Sequence, residues 1–322
     1  MIKVGLIGCG FMGAMHANCY RALEGVELYA VADIRREKAE ALAGGAKIYA
    51  DGMELIEAGE VDVIDICLPT FLHAKYAIAA MEKARYVFVE KPVALTNEEA
   101  KEMLAAQKKT GAYVQVGQVI RFWDEYVELK KIIESGVYGK VVNANFRRLS
   151  PRPDWGWQDW LLTNALSGGA AQDLHVHDVD YVLSVFGKPE KFYTVKNRIG
   201  EGNSYVNTIM QYADSVIGVE GTWDLPGNYP FTASFRVVFE KAVIENLGGK
   251  FLLYKDGKAE EIKIEKKELA TSNVGGNISD LGGYYNELLY FTDRAKAGEA
   301  LDRATLADAA ESLEFVLGEI NF

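Results

Sequence analysis

The segment Gly8-Cys9-Gly10-Phe11-Met12-Gly13 limits what this chain can fold into more than any other stretch. It follows the apolar run Ile2–Gly8 directly and opens a stretch of helical character. In that setting the glycines make the joint of a βαβ unit. The first permits a tight turn, the second lets a pyrophosphate approach the backbone, and the third lets helix and strand pack closely. The helix N-terminus then offers N–H groups and the positive end of its dipole to phosphates. A purely structural turn is the plainer reading of the same glycines. Asp33, about 20 residues further on at a predicted strand end, favours the dinucleotide reading, because a carboxylate there can bond the ribose hydroxyls. It would repel a 2′-phosphate, which predicts NAD. Arg35 or Arg36 could meet that phosphate instead, which keeps NADP as the alternative.

The first 120 residues alternate between two textures. Predicted strands are Ile2–Gly8, Glu27–Asp33, Val61–Leu68, Tyr86–Glu90 and Tyr113–Gly117, each short and rich in valine and isoleucine. Such runs suit strands buried on both faces. Helical stretches at Lys38–Ala43, Phe71–Lys83 and Asn97–Thr110 separate them. This alternation predicts a doubly wound parallel sheet with helices on both faces, a Rossmann domain over residues 1–120. Ligands sit at the carboxyl edge of such sheets. The cofactor-binding candidates are therefore Gly8, Gly10, Phe11, Met12 and Gly13 of the turn, Asp33 and Ile34, Leu68, Pro69, Thr70 and His73, and Glu90 with Lys91. Thr70 and His73 could equally cap or pack at their helix.

Past residue 120 the pattern changes. A helix near Asp124–Ser135 and a strand Lys140–Leu149 are followed by a Pro- and Trp-rich loop at 150–160. A helix from about Ala171 to Phe186 comes next, then successive strand-like runs from 191 to 265 separated by turns such as Lys255-Asp256-Gly257-Lys258. These predict an antiparallel meander, and two helices near 280–297 and 302–320 end the chain. Residues 121–322 are expected to form an α+β domain with a large, mostly antiparallel open sheet that binds substrate and mediates oligomerisation.

With 46 acidic against 35 basic residues the net charge is −11. That argues against general affinity for nucleic acid or anionic membranes. The pairs Arg35-Arg36 and Arg147-Arg148 are too short to reverse it and read as solvated surface. Cys9, Cys19 and Cys67 lack the spacing of a metal site or disulfide framework; Cys9 and Cys67 lie in apolar strand-like runs, where buried thiols are expected. No leader-like order and no membrane-length apolar run is present, which predicts a soluble cytoplasmic protein.

The segments GCGFMGAMHA, CLPTFLH, VEKPVAL, VGQVIRF and GGAAQDLHVHDVD occur in an order that resembles the Gfo/Idh/MocA family, which includes glucose-fructose oxidoreductase and inositol dehydrogenases. The resemblance covers nearly the whole chain. It implies that Lys91, the lysine of the Glu-Lys-Pro motif, lies by the nicotinamide and substrate. It implies that Asp173 and His177 of the Asp-x-x-x-His motif complete the site. It also implies that the exposed sheet face joins subunits, giving a homodimer or homotetramer; Phe235, Val237 and Phe239 alternate suitably for that face. The family usually has a proline within two residues of the pair matching Arg121-Phe122. Here Trp123-Asp124 follow, which bears on local loop geometry.

QDLHVHDVD, residues 172–180, admits three readings. On a strand His175 and His177 would share a face, as metal-binding pairs do. Leu174, Val179 and Val182-Leu183 instead follow helical spacing, which separates the two histidines and puts Asp173 and His177 on one face, continued by Asp180. No metal is expected. An Asp173–His177 surface ion pair is the bland version, and the resemblance favours catalysis. Oxidising an alcohol releases a proton that the protein must take. His177, with an ordinary pKa of about 6.5, is the expected base. Asp173 would orient it or bind a substrate hydroxyl, and Lys91 would stabilise alkoxide charge. The reverse assignment of Lys91 and His177 stays open.

Arg121 and Trp157 join Lys91, Asp173 and His177 as substrate-binding candidates. Trp157 lies in SPRPDWGWQDW, whose aromatic faces suit a sugar or cyclitol ring and equally an interface. The expected function is an NAD(P)-dependent dehydrogenase acting on a secondary alcohol of a sugar or polyol. A glycosidase or lyase using NAD transiently, and a non-catalytic regulator on the same fold, are the competing readings.

Overall fold

The computed structural model describes residues 1–197, 204–264 and 282–321. The ends of two predicted elements, Arg198–Gly200 and Asp280–Leu281, lie outside them. The chain forms two compact units.

In the first unit, β1 (Ile2–Ile7), α1 (Phe11–Ala22), β2 (Val26–Ala32), α2 (Arg36–Ala43), β3 (Lys47–Tyr49), α3 (Gly52–Ala58), β4 (Val63–Ile66), α4 (His73–Met81), β5 (Tyr86–Val89), α5 (Asn97–Thr110) and β6 (Tyr113–Val116) follow one another. The strands build a six-stranded parallel sheet in the order β3-β2-β1-β4-β5-β6. The order reverses between β1 and β4, the switch point where doubly wound sheets open a ligand crevice. All four residues of β4 and of β5 are buried, as strands covered on both faces must be. Asn97–Thr110 starts and stops as expected because Thr96 and Glu99 form a capping box and Gly111 takes a left-handed φ of 71°.

The single expected boundary near residue 120 gives way to a discontinuous unit. The first segment ends at Phe122, and the helix Gly282–Ala297 with the residues up to Glu311 belongs to the same unit. Tyr285, Leu288 and Phe291 of that helix pack with Val4, Met15 and Phe88 in one core. An amphipathic helix reveals its apolar face in sequence, but not which distant sheet that face will cover.

The second unit contains α6 (Asp124–Ser135), β7 (Val141–Pro151), α7 (Asn164–Ser167) and α8 (Val176–Phe186). It continues with β8 (Lys191–Asn197), β9 (Tyr205–Gln211), β10 (Val216–Leu225), β11 (Thr232–Phe239), β12 (Val243–Leu247), β13 (Lys250–Lys255) and β14 (Lys258–Glu261). Gly282–Ala297 is α9, and α10 is Leu306–Ile320. The eight strands take the order β14-β13-β12-β11-β7-β10-β9-β8. A plain meander would pair β10 with β11. Instead β7 lies between them, parallel to β10 and antiparallel to β11. β7 precedes both in the chain, so each can add to one of its two edges.

The two sheet faces correct two expectations. Phe235, Val237 and Phe239 are buried, not on the open face. Phe235 packs edge-on to Tyr126 at a 5.1 Å centroid separation, and Tyr126 meets Tyr181 of α8 at 4.8 Å. The open face instead shows Tyr193, Val195, Ile209 and Val216, with Tyr193 directly opposite Ile209. Arg148 is not solvated surface either. It is 2% exposed and pairs with Asp178, Nε to Oδ2 at 2.8 Å. Arg147 points its charge outward to Glu220 at 2.9 Å. Adjacent residues on a strand face opposite ways, so one arginine of the pair had to be buried.

Candidate active site

The glycine turn has the geometry that a dinucleotide needs. Gly8 has φ 96°, and a Cβ there would lie 2.4 Å from the Cys67 carbonyl oxygen. A Cβ on Gly13 would lie 1.9 Å from the Gly8 carbonyl oxygen. Both positions are therefore fixed by backbone packing. Gly10 differs: a Cβ there would meet only Arg35 Nη2, at 3.9 Å. Its open space is what a pyrophosphate approaching the backbone requires. No side chain caps α1 at Gly10, and Phe11 and Met12 form its first turn. The residues thus fit a dinucleotide.

Asp33 follows β2 and is buried. Its carboxylate accepts from Cys9 N at 2.8 Å and from Arg35 N at 2.8 Å. Arg35 Nε and Nη2 add bonds at 3.0 and 2.9 Å. Burial pushes the Asp33 pKa up, but the Arg35 and backbone bonds outweigh it and hold the carboxyl below its ordinary value. Burial, reinforced by the Asp33 charge, pushes the Cys9 thiol up to about 12. Ile34 is 65% exposed beside this pair.

Two further strand ends meet the same edge of the sheet. After β4, Leu68 and Pro69 lead into a short 3₁₀ turn, Thr70–Leu72. Pro69 occupies the cap position without a side-chain bond. Thr70 Oγ1 is buried with no hydrogen-bond partner among the described residues. His73 is buried too, and its place differs from a ligand contact: Nδ1 lies 2.7 Å from the Pro92 carbonyl oxygen and Nε2 lies 2.7 Å from that of Leu68. It ties the Leu68 loop to the loop after β5. Burial pushes its pKa below the ordinary value, against the pull of the two carbonyls. On that second loop Glu90 is buried and Lys91 is partly exposed, and Glu90 Oε2 accepts from Lys91 N at 3.1 Å. Arg121, in the 3₁₀ turn Val119–Phe122, pairs with Asp308 at 3.3 Å.

The second unit carries the other candidates. Trp157 begins the 3₁₀ segment Trp157–Leu162 and is exposed, as is Trp155. QDLHVHDVD is helical, and it enters α8 through a π turn over Ala171–His175 that holds Asp173. π turns are frequent at functional sites. The segment divides its polar groups. His175 Nε2 faces Glu319 Oε2 at 3.2 Å, Asp178 holds Arg148, and Asp180 accepts from Ser312 at 2.8 Å. All three are fully buried, so Asp180 serves packing and does not extend an Asp173–His177 face. Asp173 is partly exposed, and His177 is buried in the first turn of α8.

The sequence reading misses a buried polar cluster behind the glycine turn, formed by His16, Asp65 and Glu90. Its one sequence signal is Asp65, an acid inside the otherwise apolar strand Val63–Ile66. A buried carboxylate requires a partner, but its partner lies 49 residues away in sequence. His16, Asp65 and Cys67 offer three ligand atoms within 4.8 Å of one another. Their observed contacts are mutual: His16 Nδ1 lies 2.8 Å from Asp65 Oδ2 and 3.2 Å from Cys67 Sγ. No described helix is long and apolar enough to cross a membrane.

Comparison with known proteins matches residues 2–118 to the model of an oxidoreductase family with an NAD-binding Rossmann fold, and residues 126–245 to the GFO/IDH/MocA C-terminal domain. The chain is similar to myo-inositol 2-dehydrogenase of Thermotoga maritima, 32% identical over 58% of this chain and 55% of the relative. It is similar to D-glucoside 3-dehydrogenase of Escherichia coli K12, 30% identical over 58% of this chain and 55% of that one. The match thus spans little more than half the length of these curated relatives. Levoglucosan dehydrogenase, solved with NADH and levoglucosan, has the same fold: TM-score 0.85 at 22% identity, over 99% of this chain and 97% of that one.

Proposed function

The chain belongs to the Gfo/Idh/MocA oxidoreductase family, and from that premise we propose that it is an NAD(P)-dependent dehydrogenase oxidising a secondary alcohol of a sugar or cyclitol. The observation that carries the reading is Lys91. It sits at the carboxyl edge of the sheet that bears the glycine turn, with its backbone held by Glu90 and its neighbour Pro92 held by His73. The relatives named myo-inositol 2-dehydrogenase and D-glucoside 3-dehydrogenase support the substrate class.

Bound nicotinamide supplies the hydride acceptor. Gly8, Gly10 and Gly13 would shape the pyrophosphate turn, and Asp33 would accept the ribose hydroxyls on the carboxylate that Arg35 now engages. His177 takes the hydroxyl proton, and Asp173 orients the imidazole or holds a substrate hydroxyl. Lys91 hydrogen-bonds the reacting oxygen and stabilises the negative charge that develops on it. Arg121 and Trp157 contact substrate. The assembly is a homodimer or homotetramer through the open face of the second unit's sheet. The cytoplasm suits an enzyme whose Cys9, Cys19 and Cys67 are all free thiols.

The test is the absorbance of reduced nicotinamide during incubation with a polyol and sugar panel, wild type beside Lys91→Ala and His177→Ala. Steady reduction by one substrate class, lost in both variants, is expected. Tight NAD binding with substrate cleavage and no net reduction would replace this reading with that of a hidden-redox hydrolase or lyase.

A further inference from the structure

Helix α1 begins at the glycine turn and carries, at its second turn, a histidine with no ligand role assigned above. His16 is fully buried. Its Nδ1 lies 2.8 Å from Asp65 Oδ2 on β4. Its Nε2 lies 3.0 Å from Glu90 Oε1 at the end of β5, an ion-pair distance somewhat off the line of the ring N–H. Tyr20 Oη donates to the same Asp65 oxygen at 2.8 Å, and Cys67 Sγ lies 3.2 Å from Nδ1. Phe88 and Tyr284 pack against the ring at centroid separations of 5.3 and 6.4 Å. Cys19 and Glu287 complete the titratable surroundings. Every one of these residues belongs to the first unit.

A neutral imidazole has one N–H and one acceptor nitrogen. Here Nδ1 faces one carboxylate oxygen at hydrogen-bond distance and Nε2 a second at ion-pair distance, an arrangement that favours the charged ring. Burial alone would push the His16 pKa down; Cys67 and Asp65 beside the ring reverse this and hold it well above the ordinary value. Burial, the first cause in each case, pushes the Cys67 thiol and the Glu287 carboxyl up.

Glu90 connects this cluster to the reaction site. Its Oε2 accepts from Lys91 N at 3.1 Å. Its carboxylate fills the slot left by Gly117, where a Cβ would come within 3.0 Å of Oε1. We propose that His16 is a positioning residue for Lys91: its imidazolium, anchored on Asp65, holds Glu90 in the place from which Glu90 fixes the Lys91 backbone. The same ring links the helix of the glycine turn to the strand end bearing the lysine, so cofactor engagement and lysine placement are coupled through it. The catalytic importance of this link rests on the assignment of Lys91 above; the link itself does not.

Amide hydrogen exchange at Lys91 tests the link in the full chain without any substrate. In wild type the Lys91 amide is expected to be protected. In His16→Gln and in Glu90→Gln its exchange should accelerate by roughly tenfold, the scale of losing one hydrogen bond to a charged acceptor, while the amides of β1 keep their rates. Unchanged protection in His16→Gln overturns the proposal, and so does equal acceleration of every amide, which marks a merely structural role. Should His16→Gln fail to fold, the His16 ring resonance decides: it is expected to titrate well above the ordinary value in wild type and to fall in Glu90→Gln. An ordinary titration in wild type overturns the proposal. If a substrate is found, His16→Gln should lower kcat with little change in substrate KM, and the losses in His16→Gln and Glu90→Gln should not add in the double variant. Fully additive losses overturn it. Absence of any turnover in wild type counts against the dehydrogenase reading alone.

Discussion

Arg35 grips Asp33 with two parallel bonds, Nε to Oδ1 at 3.0 Å and Nη2 to Oδ2 at 2.9 Å. The carboxylate suited to ribose hydroxyls is thus occupied by the cation suited to a 2′-phosphate. Removing Arg35 separates the two roles. Arg35→Ala should weaken NADPH binding by about tenfold, the loss of one charge-assisted contact. NADH binding should hold or tighten, since Asp33 no longer exchanges one partner for another. Fluorescence titration with both reduced cofactors reads this directly. Equal losses for both would mean that Arg35 serves only to shape Asp33.

Gly10 offers a cleaner probe of the pyrophosphate turn than its two neighbours. Alanine at residue 8 or 13 collides with backbone and should disrupt the turn itself. Alanine at residue 10 meets nothing closer than 3.9 Å, so Gly10→Ala should keep the wild-type Tm. Its NADH affinity should nevertheless fall by about tenfold or more, equivalent to at least ~1.4 kcal/mol, because the added methyl occupies ligand space. Calorimetry and a binding titration on the same sample check the two halves.

The faces of the eight-stranded sheet should respond oppositely to substitution. Phe235→Ala removes a buried ring and should destabilise the second unit by about 3–5 kcal/mol, seen as a lower urea midpoint. Ile209→Asp lies on the open face beside Tyr193 and should leave the protomer's stability within about 0.5 kcal/mol. Light scattering should show Ile209→Asp shifted toward monomer. An unchanged mass would remove that face from the assembly.

His16 should also leave a signature in the pH dependence of stability. Its folded pKa is raised, so its contribution is complete below the unfolded value of about 6.5 and is lost as the pH climbs through the folded value. Urea midpoints should therefore decline on the alkaline side. His16→Gln, which removes the titrating group, should lose that alkaline slope.

The parallel sheet was readable because its strands are continuous apolar runs set by burial on both faces, and because turn and cap residues mark their ends. Asn97–Thr110 was read to the residue, and the structure bounds it with the Thr96–Glu99 capping box and Gly111. Lys47–Tyr49 and Gly52–Ala58 escaped notice: three residues carry no periodicity, and the short helix is announced only by its Asp51 cap. Alternation at Phe235, Val237 and Phe239 revealed a strand with two faces, but not which face meets Tyr126, since that depends on residues far away in the chain. The glycines, Asp33 and Lys91 stand out because each occupies a strand end. His16 does not, because what makes it special is the pair of acids that folding brings to it.

The return of Gly282–Ala297 to the first unit sets a schedule for synthesis. The residues that open the chain leave the ribosome first, yet Val4, Met15, Tyr20 and Phe88 must wait for Leu288 and Phe291 before their shared core can close. The eight-stranded sheet emerges in the interval and can complete its strand pairing first. The nascent chain therefore carries an uncovered apolar face for most of translation, a period in which chaperones and early dilution should govern yield. A protein released by a stop codon shortly after the sheet would keep its glycine turn and its lysine, and still lack the helix that closes their core.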